Sequence, residues 1–266
     1  MSHLVELRGA TKRFPTGKGG VHTAIRDVDL TVDAGEFVAV VGPTGCGKST
    51  TLSLVSGLQP ASSGEVFVAG QPVTGIPDGV GYMFQADAML PWRSVLANVA
   101  AGPIWRGVDK AEAHARATDW IARVGLAGFE SYYMHQLSGG MRKRVALAQT
   151  LVNEPSILLM DEPFSALDVQ TRALMQQELL RLWSGTGAAV VFVTHDLEEA
   201  IVLADRVVVM TSSPARTKAV FDVRLPRPRH VEDLRTTTEF IEVYREIWSS
   251  LSAEVDTARK VAPRAA

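Results

Sequence analysis

The run Gly42-Pro43-Thr44-Gly45-Cys46-Gly47-Lys48-Ser49-Thr50 carries the clearest chemistry in the sequence. Its glycines let backbone N–H groups turn inward around a polyphosphate, Lys48 can reach the outer phosphates, and the Ser49 hydroxyl can ligate Mg²⁺. The apolar run Phe37 to Val41 precedes it and a leucine-containing amphipathic segment follows, so the context is strand, glycine loop, helix. The start of that helix adds unpaired N–H donors and a positive dipole end. Together these residues predict binding of a nucleoside triphosphate, with Cys46 as a small filler of the loop.

Three further places supply groups that could act on a bound triphosphate. Asp161 and Glu162 close the apolar run Ile157-Leu158-Leu159-Met160. Asp161 can hold Mg²⁺ through its water shell, and Glu162 can take a proton from the water that attacks the γ-phosphate. His195 follows the run Ala189 to Val193 and can hydrogen-bond the γ-phosphate; His3, His22, His114, His135 and His230 stand at no metal-ligand spacing. Gln85 ends the run Val80 to Phe84, where its amide is suited to touch metal or attacking water, because ligands gather at that edge of open α/β sheets. Leu137-Ser138-Gly139-Gly140-Met141 is a second glycine-bearing helix start, with Ser138 as N-cap of a helix running through Val145 to Leu151. The chain thus offers two anion-binding helix starts, about 90 residues apart, and only one carries a lysine in its loop. Phe14 could stack on an adenine base or belong to the core; its position near a strand end fits both.

The elements that must position these groups follow from hydrophobic periodicity. Residues 3 to 8 and 28 to 32 alternate as half-buried strands around a Gly-, Lys- and Thr-rich loop, an antiparallel lead into the fold. Asp33 to Glu36 forms a turn, and the helix after the phosphate loop carries Leu52, Leu54, Val55 and Leu58 before Gln59-Pro60 ends it. Residues 64 to 73 read as a strand and turn. Residues 109 to 125 read as a helix with Ala113, Ala117, Trp120, Ile121 and Val124 on one face. The runs ending at Asp161 and His195 are short and unbroken, the pattern of strands buried on both faces of a parallel sheet. Between them, 168 to 183 reads as a helix with Val169, Met175, Leu179 and Trp183 in register. Residues 207 to 210 and 219 to 225 read as final strands. A helix over 233 to 256 places Phe240, Ile241, Tyr244, Ile247, Trp248 and Leu251 on one stripe, and the last ten residues read as frayed. The expected fold class is α/β with a mostly parallel sheet: one domain over 1–266, with a helical insert at 86–152 and a C-terminal helical extension at 226–266.

Composition limits the partners. Twenty-seven basic against 29 acidic residues leave a net charge of −2, so no global electrostatic footprint for nucleic acid exists. The single cysteine excludes an internal disulfide framework and fits a reducing compartment. Met1 to Leu7 has no leader pattern, and no apolar run approaches the roughly 18 residues needed to span a bilayer, so a cytosolic protein that reaches a membrane through partners is expected. Ala88 to Arg93 is an apolar loop that needs a cover.

The motifs together resemble the ATP-binding cassette (ABC) ATPases, P-loop NTPases whose Walker A loop corresponds to 42–50. In that family's order come the Q-loop glutamine Gln85, the signature at 137–141, the Walker B strand ending in Asp161 and Glu162, the D-loop Ser165-Ala166-Leu167-Asp168, and the switch His195. The resemblance runs from the first strands to about residue 210. It implies ATP and Mg²⁺ as cofactors, with Ser49, Gln85 and Asp161 toward the metal and Glu162, Gln85 and His195 toward hydrolysis. It also implies a homodimer in which Ser138, Gly139, Gly140 and Asp168 of one subunit face the ATP held by the other's Walker A loop. The signature departs from the usual pattern at Met141 and Lys143, and Phe14 stands where tyrosine is commonest. The loop Leu90-Pro91-Trp92, Met141 and the stretch Leu225-Pro226-Arg227-Pro228-Arg229 look like the nitrate, sulfonate, taurine and bicarbonate importers. That branch implies an ATPase on the cytoplasmic face of the membrane under two permease subunits, served indirectly by a periplasmic or extracellular solute-binding protein. The competing expectation is an ABC ATPase not coupled to transport; its usual marks, a long coiled-coil insertion, a zinc module or two cassettes, are not in the sequence.

Overall fold

The computed structural model describes residues 3–17, 19–86 and 88–261. Its strands in chain order are β1 (Val5–Pro15), β2 (Val21–Val32), β3 (Phe37–Val41), β4 (Ser63–Val68), β5 (Gln71–Pro72), β6 (Val80–Met83), β7 (Ile157–Asp161), β8 (Ala189–Thr194), β9 (Arg206–Met210) and β10 (Thr217–Asp222). The helices are α1 (Lys48–Val55), α2 (Val95–Val99), α3 (Ala101–Trp105), α4 (Lys110–Arg123), α5 (Gly139–Leu151), α6 (Val169–Trp183), α7 (Leu197–Leu203), α8 (Val231–Leu234) and α9 (Thr238–Val261), with a short 3₁₀ turn at Met134–Gln136.

An antiparallel sheet ordered β2-β1-β4-β5 lies against a six-stranded sheet ordered β10-β9-β3-β8-β7-β6, in which only β10 runs antiparallel to its neighbour. β3, β7 and β8 are buried along their whole length, as their unbroken apolar runs require. Alternate side chains of a strand face opposite ways, so the central sheet feeds two cores. Val38 and Val40 join the β1, β2 and α1 side, whereas Phe37, Ala39 and Val41 join the larger core built with α2 and α4 through α7. Because β3, β8 and β7 are adjacent and parallel, the loops at their C-terminal ends meet at one edge.

Several elements differ from the sequence expectation, each for a local reason. β1 and β2 are much longer than 3–8 and 28–32, and Phe14 pairs with His22. Register shifts between Leu7 and Arg13 break the alternation by which the strand would have been recognised. Helix α1 stops at Val55, because Gly57 turns at φ 71° and a Cβ there would lie 1.8 Å from the Gly75 carbonyl oxygen; Leu58 is therefore outside the helix and exposed. Eight residues make a marginal helix alone; the buried Leu52, Leu54 and Val55, at about 2 kcal/mol each, hold it. Val169 sits in the first turn of α6 and is exposed, while Met175, Leu179 and Trp183 are core. β10 ends at Asp222, before Leu225.

The expected helix over 233–256 is two, α8 and α9, and α9 continues to Val261; residues 262–266 of the tail expected to fray lie outside the described residues. On α9, Ile241 and Trp248 are exposed, so the buried stripe is Phe240, Ile247 and Leu251. Trp92 is exposed too, at 72 %, and so is no core residue, whereas Met89 is buried. Among the described residues no helix is long and apolar enough to cross a membrane.

Candidate functional site

The loop between β3 and α1 wraps one wall of a cleft of about 360 Å³ lined by Thr44, Gly45, Gly47, Lys48, Ser49, Thr50, Gln85, Glu162 and His195. Gly47 is required here: its φ is 126°, and a Cβ would stand 2.5 Å from Ile25 Cγ2 and 2.9 Å from the Ala24 carbonyl oxygen. Below the loop, the buried Cys46 fills the space over Gly42, whose Cβ would lie 3.0 Å from the sulfur; burial pushes the thiol pKa up, so it stays an inert filler. Pro43 shapes the turn, its carbonyl accepting from Cys46 N. No side chain caps α1, which leaves the N–H groups of its first turn for an anion.

Lys48 is buried and aimed along the loop. Its ammonium donates to the carbonyls of Gly42 at 3.0 Å and Pro43 at 3.2 Å and stands 3.9 Å from Glu162 Oε1. The Ser49 hydroxyl donates to Asp161 Oδ1 at 2.8 Å. Burial is the main cause that raises the Asp161 pKa, with the Ser49 hydrogen bond and Lys48 opposing it; the Tyr82 hydroxyl lies near the same carboxyl. A buried carboxylate beside a serine oxygen, with burial outweighing its cationic help, is a hard-oxygen donor set that fits Mg²⁺.

Glu162 adopts φ 42°, a left-handed conformation costing a non-glycine residue on the order of 1 kcal/mol. Neighbours hold it there: Glu162 N donates to the Val193 carbonyl on β8, and Ser165 donates to the Glu162 carbonyl through N and Oγ. The carboxylate so aimed is 2.9 Å from His195 Nδ1 and accepts from Gln85 Nε2 at 3.4 Å. The groups drawn from Gln85, Asp161, Glu162 and His195 therefore meet the phosphate loop at one edge.

The remaining candidates do not line this cleft. Ser138 caps α5, its hydroxyl accepting from Met141 N at 3.3 Å, which leaves its proton free to donate. Asp168 caps α6 by accepting from Thr171 N at 2.9 Å, and that bond is the main cause holding its carboxyl below the usual range. The two caps are neighbours: a Cβ on Gly140 would lie 2.8 Å from Thr171 Cγ2, and one on Gly139 4.0 Å from Leu167 Cδ2. Phe14 is half-buried on β1, with the Lys12 ammonium 5.2 Å over its ring.

Sequence reasoning missed the roles of three groups. Tyr82 was legible only as a strand residue. Lys143, buried on α5, donates to the Gln85 carbonyl at 3.0 Å and links the second helix start to the cleft. Asn98, fully buried, binds the loop after Gln85: its Oδ1 accepts from Leu90 N, and its Nδ2 donates to the carbonyls of Leu90, Arg93 and Ser94. A buried amide in a helical segment was the only available signal.

Comparison with known proteins agrees with this geometry. Residues 25–165 match the ABC transporter family. The chain is 46 % identical over 255 residues to an uncharacterised ABC transporter ATP-binding protein of Methanocaldococcus jannaschii, covering 96 % of this chain and 94 % of that one. It is 42 % identical over 241 residues to the taurine import ATP-binding protein TauB of Burkholderia pseudomallei, covering 89 % and 93 %. A solved ATP-binding cassette, dimeric in a post-hydrolysis state with ADP and Pi, superposes with TM-score 0.74 at 30 % identity, over 84 % of this chain and all of that one. The chain therefore belongs to the ABC transporter family as an ATP-binding subunit that hydrolyses ATP.

Proposed function

We propose that this ATPase drives import of a small solute of the nitrate, sulfonate or taurine class through a separate membrane permease, acting as a homodimer on the cytoplasmic face. The observation that carries the coupling is an exposed aromatic surface beside the Gln85 loop. Trp92, Trp105, Tyr132 and Tyr133 are 72, 68, 40 and 44 % exposed. They gather around Arg93 to Val95: the Arg93 guanidinium lies 5.6 Å over the Trp105 ring, Ser94 bridges to Tyr133, and Val95 N donates to the Tyr132 carbonyl. So much apolar surface in one place fits a protein partner, with tryptophan and tyrosine as anchors. The solute class is supported by the taurine import relatives. In this reading 86–152 is the helical subdomain bearing both the aromatic surface and the signature, and 226–266 is the C-terminal extension.

The chemistry assigned to the cleft is in-line attack of water on the γ-phosphate. The loop N–H groups and Lys48 hold the phosphates, Glu162 takes the water's proton, and His195 and Gln85 orient the γ-phosphate and the water. Mg²⁺, held by Ser49 and Asp161 with Gln85 nearby, would neutralise charge developing on the phosphate oxygens. Ser138, with the glycines after it, and Asp168 form a separate surface, suited to the ATP of a second subunit, and Phe14 is assigned to the adenine. Motion of Gln85 on ATP binding would pass to the Trp92 loop, which follows it directly.

The test is Trp92→Ala. Melting temperature and basal ATPase should stay at parental values, while co-purification with the permease is lost at a cost of about 2 kcal/mol or more in association. Normal permease binding by Trp92→Ala and Trp105→Ala alike would overturn the coupling surface.

A further inference from the structure

His195 is half-exposed and, among the described residues, gripped through its ring only at Glu162, so the backbone of the turn it sits in decides where the imidazole stands. That turn is fixed from below by a carboxyl that the chemistry above does not use. Glu199, on α7 and 3 % exposed, accepts from the Thr194 hydroxyl at 2.5 Å through Oε2 and from Gln176 Nε2 at 3.1 Å through Oε1. The same Thr194 hydroxyl accepts from Asp196 N at 3.0 Å, and Asp196 Oδ1 accepts from Glu199 N at 3.2 Å. The residues on both sides of His195 are therefore tied to Glu199, and Gln176 ties that knot to α6.

A buried carboxyl is costly without a cation, and the nearby guanidiniums form their bonds elsewhere: Arg172 with Asp196, Arg235 with Glu198 and the Gln176 side-chain oxygen Oε1. Glu199 does not line the cleft and touches no reacting group. What its two oxygens do hold is the Thr194–Asp196 turn against α6, whose N-cap Asp168 adjoins the second helix start.

We propose that Glu199 is a positioning residue for His195, fixing the ring by locking the Thr194 hydroxyl and the turn that follows it. This rests on the reading that His195 acts on the γ-phosphate. A displacement of the imidazole by about 1 Å is enough to slow hydrolysis roughly 10- to 100-fold.

Epistasis tests it. ATP hydrolysis under single-turnover conditions and ATP affinity are measured for Glu199→Ala, Thr194→Val and Glu199→Gln, each alone and combined with His195→Ala, below the melting temperature of every variant. Glu199→Ala and Thr194→Val should each cut the rate constant by that factor with ATP affinity kept, and together should be no worse than the slower single. Neither should slow His195→Ala further. Glu199→Gln should recover most of the rate, since its amide oxygen can still accept from Thr194, and Thr194→Val supplies the same reading should Glu199→Ala fail to fold. Equal fold-losses in the presence and absence of His195 would overturn the proposal, leaving the role of His195 intact. A parental rate for His195→Ala would instead overturn the reading of His195, and this inference with it.

Discussion

Replacing Asn98 tests whether the aromatic loop is built as a rigid transmitter. The side chain is fully buried and makes its bonds to the backbone of Leu90 to Ser94 at 2.8 to 3.1 Å. In Asn98→Ala two of the four partners keep a bond: the Leu90 carbonyl still accepts from Arg93 N, and the Ser94 carbonyl still accepts from the amide N of residue 98. Leu90 N and the Arg93 carbonyl lose theirs. At about 1 to 3 kcal/mol for each group left unpaired, and toward the low end because this loop is only half-buried, the loss is about 2 to 4 kcal/mol. For a chain of this size that lowers the melting temperature by about 5 to 15 °C. Asn98→Asp should be at least as damaging at neutral pH, since it keeps the acceptor facing Leu90 N but turns a carboxylate toward three carbonyl oxygens. Differential scanning calorimetry gives the melting shift, and co-purification with the permease gives the loop's function; ATPase in the remaining folded protein should stay within about threefold, because the phosphate cradle is untouched. A melting temperature for Asn98→Ala within about 1 °C of the parent, with permease binding kept, would refute the idea that Asn98 holds this loop rigid.

Three other perturbations probe the cleft. Glu162→Gln should keep ATP binding while cutting hydrolysis by roughly 10² to 10⁴, the loss expected on removing a general base; Lys48→Ala should weaken ATP binding itself, and nucleotide titration beside a phosphate-release assay separates the two. Mixing Lys48→Ala with Ser138→Arg, each inactive alone, should restore part of the ATPase if Ser138 acts on ATP held by the opposite subunit; heterodimers that form and stay inactive would remove that support. Burial raises the Asp161 pKa, so the folded chain binds more protons than the unfolded one between the ordinary carboxylate value and the raised one, and the stability Asp161 contributes falls as pH rises through that window. Asp161→Asn should therefore gain on the parent in melting temperature from acid to neutral pH without nucleotide, and a constant difference would contradict the assignment.

The cleft was legible because its parts are punctuated locally. A glycine loop after an apolar run, and acids or a histidine at the ends of other apolar runs, are features within single windows, and parallel strands then bring them to one edge. The strands β1 and β2 were not legible in full, because the register shifts around Gly9 to Arg13 interrupt the period. The end of α1 was misjudged for a tertiary reason: Leu58 continues the helical spacing, but Gly57 must turn where the Gly75 backbone comes close. Trp92, in a loop expected to need a cover, could be read as partner-facing or as core, since a tryptophan's fate depends on what lies over it. The roles of Asn98, Lys143 and Glu199 were not legible from any pattern. Each acts on a backbone or hydroxyl group that only the folded chain brings near.

The stretch Leu225 to Arg229, which the sequence offered only as a likeness to one importer branch, has a physical role that bears on the cleft. Arg229 is buried and donates through Nη1 to the carbonyls of Ile201, Val202 and Ala204, and Arg227 Nη2 donates to that of Leu203. These are the orphan carbonyls at the C-terminal end of α7, so the two guanidiniums cap the helix by hydrogen bonds and by favourable charge. Arg227 also holds Asp205 and lies 4.6 Å over the Trp183 ring at the end of α6. The helix that begins beside His195 is thus fastened at its start by Asp196 and Glu199 and at its end by residues 227 and 229. With α7 only seven residues long and weak by itself, fixing one end alone would leave the switch turn free to move with the helix. Fixing both makes Arg227 and Arg229 part of what holds the histidine at the cleft.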